Sequence, residues 1–381
     1  SSHMNAPSDT SALLREKISP MQAVSALYGE GNVDIARAVA ASLSRRVFEG
    51  ETPQPSNLVR RALGRFVFRL MKRTTSEETR PGPDGKDVVF YRNRILEKSE
   101  HPYARTLLEP SRADTANFVE GGDPMNAVYM MLSPEVRSHA ELWDSIILDS
   151  VQARDVQWRF VWETRLVHKL AVKRLRAGKP VRLKAVAAGT GLSMALLLEK
   201  LLGEGHDPKL ISATISDREA SNVEKCLRLL GKLPATSQHL ALHSNSPHGI
   251  VLQIEDILQP TTKTAHDAPY DIVTVVGLLE YFPGHTATTT EELLGQPKPA
   301  GPPHASDVVA NVGAMTAAGG HVLVNTFRTL TAIRTMEVFG KRFRYRGLKE
   351  MRELMASGGL VPSGESLSAN IFDLEVFEKR A

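Results

Sequence analysis

The chain has one cysteine, Cys226, in 381 residues. A single thiol excludes an intramolecular disulfide and any multi-cysteine zinc site. On the helix that follows Asp217, Cys226 reads as a small buried apolar residue rather than a nucleophile. The histidines His206, His239, His243, His248 and His266 have no metal-ligand spacing, so no metal is expected. No apolar run approaches the length that crosses a bilayer. Charge of one sign is also lacking: 47 basic residues face 43 acidic ones, for a net charge of +4. Such a balance does not demand a nucleic-acid partner. Ser1-Ser2-His3 before Met4 reads as the scar of a cleaved tag, no secretory leader precedes Asn5, and the expected compartment is cytoplasmic. A chain of this length can bury a substantial core without covalent staples.

The most informative stretch runs from Val181 to Asp217. Val181–Ser193 reads as a strand and a glycine turn, Met194–Leu202 as an apolar helix, and Leu210–Asp217 as a second strand ending in a carboxylate. Gly189 and Gly191 permit a sharp turn pressed against a ligand, because neither carries a Cβ. The next helix points free N–H groups at the same spot. Asp217 at the tip of the following strand is then placed to accept hydrogen bonds from ribose hydroxyls. A dinucleotide site needs a third glycine where the pyrophosphate crosses the helix start. The pattern here is Gly-x-Gly-x-x-Met, ending at Met194, so a pyrophosphate grip is disfavoured.

Downstream, Ile250–Leu258 reads as a buried strand delivering Asp256 beside Ile257, a carboxylate and an apolar cover suited to an adenine edge. Tyr270–Pro283 is a near-continuous apolar run of the kind found in central parallel strands. It leaves Gly277, Glu280 and Tyr281 at the edge where open α/β sheets bind ligands.

With these motifs in this order, the chain resembles the class I S-adenosylmethionine-dependent methyltransferases from about Val181 to Arg380. The resemblance rests on Ala188-Gly189-Thr190-Gly191, on Asp217 followed by Arg218, on Asp256 and Ile257, on Gly277-Leu-Leu-Glu-Tyr-Phe-Pro283, on the strand Gly319–Phe327, and on a final helix Leu348–Ser357 before strands near Leu360 and Ile371–Glu378. It implies an α/β fold: a Rossmann-like seven-stranded mixed sheet with a reversed last strand and helices on both faces. It also implies S-adenosyl-L-methionine as cofactor, held by Ala188, Gly189, Thr190, Gly191, Asp217, Arg218, Asp256, Ile257 and Gly277.

One position departs from the family. An acid usually stands two residues before the first glycine and holds the amino group of the methionine moiety, and here that residue is Ala187. Either another residue from the N-terminal side holds the amine, or the amine is easier to deprotonate and attacks its own Cγ. The second course is that of the azetidine-2-carboxylate synthases, which look like methyltransferases but cyclise the cofactor.

The organisation expected is a helical lid or substrate region over 5–135, a linking helix over 136–180 and the cofactor domain over 181–381. Within the first, Leu58–Arg73 is a basic helix with Arg61, Arg65 and Arg69 at every fourth residue, read mainly as a solvated face. A long helical pattern after Pro134 is expected to break near Val151–Asp155. On it Trp158, Trp162 and Arg165 share one face. The tryptophans are candidates to cradle a sulfonium, and Arg165, or else Arg159, to bind a carboxylate. Tyr103 and Tyr129 carry less weight. The Pro/Thr-rich stretch 283–306 reads as a gate or a surface insertion.

For catalysis the candidates are Glu280, Tyr281 and His285, with Tyr281 as a wall. Neither the Asn/Asp-Pro-Pro-aromatic motif of DNA amino-methyltransferases nor a cysteine placed as in cytosine-C5 enzymes is present, so nucleic acid is disfavoured and a small molecule is the expected substrate. Three readings stand: methyl transfer to a small metabolite, consumption of the cofactor itself, and a non-enzymatic adaptor. A homodimer through the N-terminal helices stays open.

Overall fold

A computed structural model describes residues 10–81, 85, 87–98, 123–240, 248–258, 269–282, 305–330, 334–339 and 343–381. After a 3-10 turn over Thr10–Arg15 come α1 (Pro20–Tyr28) and α2 (Val33–Phe48). Helix α1 starts on a reciprocal cap: the Ser19 side chain accepts from Gln22 N–H, the Gln22 side chain accepts from Ser19 N–H, and Pro20 occupies the first turn. Helix α3 (Leu58–Thr74) follows, then a hairpin of β1 (Thr75–Pro81) and β2 (Asp87–Asn93). This hairpin lies where the sequence suggests only broken helices. Strand-forming Val88-Val89-Phe90-Tyr91 supplies its second arm. Helix α3 is also unlike an ordinary packed helix, since Met71 is its one buried residue while Leu58, Val59, Leu63 and Phe66 are exposed beside Arg65 and Arg69.

Helix α4 (Asp123–Met130) and two short helices, Pro134–Ser138 and Leu142–Leu148, lead to α5 (Val151–Arg176). The break falls at Asp149-Ser150, where the Ser150 side chain accepts from Ala153 N–H and starts α5 as an N-cap. Then come β3 (Val181–Ala185), α6 (Leu192–Gly203), β4 (Ile211–Asp217), α7 (Ala220–Lys232), β5 (Gly249–Ile254), β6 (Tyr270–Val275), α8 (Ala305–Met315), β7 (Thr316–Phe327), α9 (Leu348–Ala356), β8 (Leu360–Ser368) and β9 (Phe372–Lys379). The seven strands β3 to β9 stand in the order β5-β4-β3-β6-β7-β9-β8. Pairs β5-β4, β4-β3, β3-β6 and β6-β7 are parallel, while β9 runs antiparallel to both β7 and β8. The reversed strand is the last one in the chain, as the resemblance implies. Burial on both faces explains the apolar composition of the central strands, with Ile272, Val273 and Val275 of β6 at or below 1 % exposure.

The helical region shares a continuous core with the sheet: Leu27, Val39, Phe160, Leu183 and Leu197 belong to one buried cluster. Polar ties reinforce that docking. Arg228 Nε and Lys232 Nζ of α7 donate to the carbonyls of Tyr28, Ala26 and Gly29, so two cations cap the C-terminal end of α1. Asp155 of α5 accepts from Ser56 N–H (3.3 Å) and Ile371 N–H (2.9 Å), joining segments far apart in the chain. Changing Asp155 to Ala leaves both buried donors without an acceptor. The expected loss is on the order of 3 kcal/mol, and urea denaturation checks it; an unchanged midpoint would refute the assignment.

Candidate functional site

A cleft of about 240 Å³ opens at the carboxyl edge of the sheet, near the small end of small-molecule sites. Its floor is the turn after β3. Val186 N–H donates to Thr274 O of β6 and Ala188 N–H to Ser216 O of β4, pinning the turn between two strands. Ala187, Gly189 and Gly191 all have positive φ (50°, 60° and 71°). Gly191 is required twice over, by its φ and because a Cβ there would lie 2.6 Å from Cys226 Sγ. Cys226 itself is buried and its thiol is pushed up to about 12, chiefly by burial, which makes it a packing residue with no nucleophilic thiolate.

Asp217 closes the end of β4. Its Oδ2 accepts from Gly189 N–H (2.8 Å), and its Oδ1 accepts from Glu219 N–H (2.9 Å) and the Asn222 amide (3.2 Å). Burial raises its pKa and these three hydrogen bonds oppose the rise. A carboxylate has roughly four lone-pair sites, so three are committed to holding the turn and about one is left for a ligand. The acid therefore shapes the glycine turn as well as facing the cleft.

Residues selected from sequence line this one cleft: Ala188, Gly189, Thr190 and Gly191 on the turn; Asp217 and Arg218 after β4; Asp256 and Ile257 after β5; Gly277, Glu280 and Tyr281 after β6; and Tyr129 and Arg159 from the helical region. Asp256 Oδ1 accepts from Leu258 N–H, and the Asn311 amide holds the Ile257 carbonyl, fixing that wall. The adjoining Glu255 pairs with buried Lys184 at 2.9 Å. Gly277, with φ of 76°, donates its N–H to Asn325 Oδ1. Arg346 is 2 % exposed and donates to the carbonyls of Leu279 and Phe282, pinning the turn that carries Glu280 and Tyr281; burial brings its pKa down to about 10.

Trp158, Trp162 and Arg165 lie elsewhere, and the expectation for that face of α5 is corrected by the fold. Trp158 is 5 % exposed within the core. The Arg165 guanidinium donates to Val47 O, Gly50 O and Thr52 Oγ1, closing the C-terminal end of α2, and Trp162 packs under it with the guanidinium carbon 5.4 Å from the ring centroid. The opposite face looks into the cleft, through Gln152, Val156, Arg159, Phe160, Glu163 and Val167. The sequence carries no local mark of which face docks, because both bear aromatic and charged side chains.

Arg159 is buried, its guanidinium carbon 4.5 Å from the centroid of the Phe372 ring and its Nη1 3.9 Å from Glu280 Oε1. Its charged form is favoured despite burial, through Tyr129 and the carboxylates of Glu280 and Glu163. Glu163, half-buried and bonded to the Ser193 hydroxyl, has its pKa pushed up to about 7, mainly by desolvation and against the pull of Arg159. Glu163, like Arg346, is a site residue that sequence reasoning missed.

The N-terminal region closes the cleft. The Thr190 hydroxyl lies 3.0 Å from both Tyr28 Oη and Asn126 Oδ1, so α1 and α4 grip the glycine turn directly. Tyr129 stacks on Phe160 at 4.3 Å. Phe327, Phe343 and Tyr281 form an aromatic wall, with centroids 5.0 Å apart for Phe327–Phe343 and 5.4 Å for Tyr281–Phe343. Tyr103, His285 and residues 283–304 lie outside the described residues. Among the described residues no group of His, Cys, Asp and Glu is arranged to hold a metal ion, and no helix is long and apolar enough to cross a membrane.

No protein-family profile matches the chain, and no curated protein matches it in sequence. Solved structures similar to it include the magnesium protoporphyrin IX methyltransferase of Synechocystis PCC 6803 with bound S-adenosylhomocysteine, at 13 % identity over 59 % of this chain and 87 % of that one, with a TM-score of 0.37. The N-methyltransferase NodS of Bradyrhizobium japonicum WM9 is 16 % identical over 57 % of this chain and 87 % of its own, with a TM-score of 0.34. A protein of Bordetella parapertussis described as a possible exported protein is 12 % identical over 92 % of this chain and 97 % of its own, with a TM-score of 0.43. Strand order, the reversed last strand and a cleft built on the turn after the first strand of the sheet together give this chain the fold of the class I S-adenosylmethionine-dependent methyltransferases.

Proposed function

We propose that the protein is an S-adenosylmethionine-dependent enzyme that transfers the methyl group to a small molecule. The observation that carries this reading is the single cleft in which the glycine turn, Asp217, Asp256 with Ile257, and the turn after β6 converge. The chemistry of that donor set fits the cofactor: carboxylates for the sugar and the adenine edge, apolar Ile257 over the ring, and charged groups of both signs at the far end. A sulfonium brings an already activated methyl carbon, so the chain's task is to align an acceptor and exclude water. The aromatic wall of Phe327, Phe343 and Tyr281 gives the cleft a polarisable, non-nucleophilic surface of the kind that suits a sulfonium. Glu163, its carboxyl pushed up to about 7 by desolvation, is a cleft group that can exchange a proton near neutral pH.

The same property of Glu163 favours a second reading. A carboxylate that titrates near neutrality can take a proton from the ammonium group of S-adenosylmethionine. The freed amine lone pair then forms a bond to Cγ, the Cγ–S bond breaks, its electron pair leaves with methylthioadenosine, and azetidine-2-carboxylate remains.

Incubating the protein with S-adenosylmethionine alone separates the two. Methyl transfer is expected to leave the cofactor intact until an acceptor is added and then to give S-adenosylhomocysteine. Methylthioadenosine without an acceptor establishes cyclisation or a related lysis instead, and binding with neither product under any acceptor fits an adaptor.

A further inference from the structure

We propose that Arg159 and Glu163 form a clamp for an α-amino-acid group, Arg159 taking the carboxylate and Glu163 the ammonium, so that α5 supplies the acid missing at Ala187. The inference rests on the reading of the cleft as an S-adenosylmethionine site. The two residues are four apart on one face of α5, about one helical turn from each other, and both line the cleft. Ala187 borders the same cleft with no carboxylate to offer.

Opposite charges at this spacing ordinarily pair with each other. Here the Arg159 guanidinium instead bonds to Tyr129, leans on the Phe372 ring and points toward Glu280, and Glu163 is bonded to the Ser193 hydroxyl. The Arg159–Glu280 separation of 3.9 Å exceeds that of a charge-assisted hydrogen bond, which is roughly 2.7–2.9 Å. Of the five N–H donors of the guanidinium, those not turned to Tyr129 remain available to a ligand carboxylate. Its position is set against the end of β6, since a Cβ on Gly277 would lie 3.3 Å from Arg159 Nη2. The charged and polar groups that bear on Glu163 are Arg159 on its own helix and Ser193 on α6, while Tyr129 from α4 and Glu280 from the turn after β6 bear on Arg159. A carboxylate and a guanidinium side by side match a zwitterion better than an anion or a cation alone.

The test compares two ligands that differ only in the amino-acid end, S-adenosylhomocysteine and methylthioadenosine, by calorimetric titration of the wild-type protein, Glu163→Gln and Arg159→Lys. At pH 8 the wild type is expected to bind S-adenosylhomocysteine tighter by on the order of tenfold or more, the scale of one charge-assisted hydrogen bond. Glu163→Gln is expected to erase most of that preference, and Arg159→Lys part of it, with methylthioadenosine affinity retained as proof that the cleft is intact. In the wild type the preference is also expected to shrink as pH falls below about 7, because Glu163 then gains a proton, and to lose this pH dependence in Glu163→Gln. Equal affinity for the two ligands in the wild type, or a full preference surviving Glu163→Gln, overturns the clamp while leaving the cofactor reading in place. Failure of both ligands to bind overturns the cofactor reading, and the clamp with it.

Discussion

Replacing Asp217 by Ala is expected to unfold the glycine turn as well as to abolish nucleoside binding. The side chain accepts from Gly189 N–H, Glu219 N–H and the Asn222 amide, and it is 9 % exposed, so water cannot readily substitute for it. Each buried donor left without a partner costs about 1–3 kcal/mol, and the three together put the loss on the order of 5 kcal/mol. That is a large share of the stability of a typical domain. Asp217→Asn separates the two roles. It keeps one acceptor oxygen and removes a charge that burial disfavours, so it is expected to fold with a smaller loss. The hydrogen bond accepted from a ribose hydroxyl is no longer charge-assisted, and affinity for S-adenosylhomocysteine is expected to drop by about 10- to 100-fold. Unchanged affinity in a calorimetric titration of a folded Asp217→Asn protein would remove the sugar assignment and leave Asp217 a purely structural residue.

Gly191→Ala is expected to be nearly as damaging, through sterics instead of charge. The backbone there has φ of 71°, which costs an L-residue about 1–2 kcal/mol. A Cβ also meets Cys226 Sγ at 2.6 Å and Ile215 Cγ2 at 3.3 Å. Overpacking of this kind adds about 1–3 kcal/mol, and the displaced turn carries the N–H groups that face the cleft. The double variant Gly191→Ala/Cys226→Ala removes the sulfur, after which the nearest atom on residue 226 is Cβ, at 3.7 Å from the new methyl. It is expected to recover the overpacking cost and retain only the backbone strain. Thermal unfolding of the two single variants and the double one measures the coupling. Strict additivity of the two changes would refute the contact between residues 191 and 226.

Much of the site is legible without the fold because its chemistry is local. Gly189 and Gly191 announce a turn that only glycine adopts easily, and Asp217 and Asp256 stand at the ends of strands whose apolar patterns are plain. Strand tips of a parallel sheet converge on one edge, so naming the tips names the cleft. Arg346 and Glu163 are invisible for the opposite reason. The partners of Arg346 are the carbonyls of Leu279 and Phe282, more than sixty residues away. Glu163 is one of many acids on helical segments and is singled out by what surrounds it, not by its neighbours in sequence. The β1-β2 hairpin was open to reading from Val88 to Tyr91, but the flanking helical pattern masks a run that short.

From Val181 onward the sequence by itself determined the order of strands and helices, the glycine turn and the acids at the strand tips, because each depends on side-chain periodicity or on the φ that a single residue tolerates. Only the tertiary structure decided which face of α5 enters the cleft. That helix is buried on several sides, with Trp158 and Arg165 turned to the core and the end of α2, and Arg159 and Glu163 turned to the sheet edge. A helix enclosed in this way has no single apolar stripe to betray its orientation. Its rotation is set by contacts with α2, α4 and β9, segments that meet it only once the chain has folded.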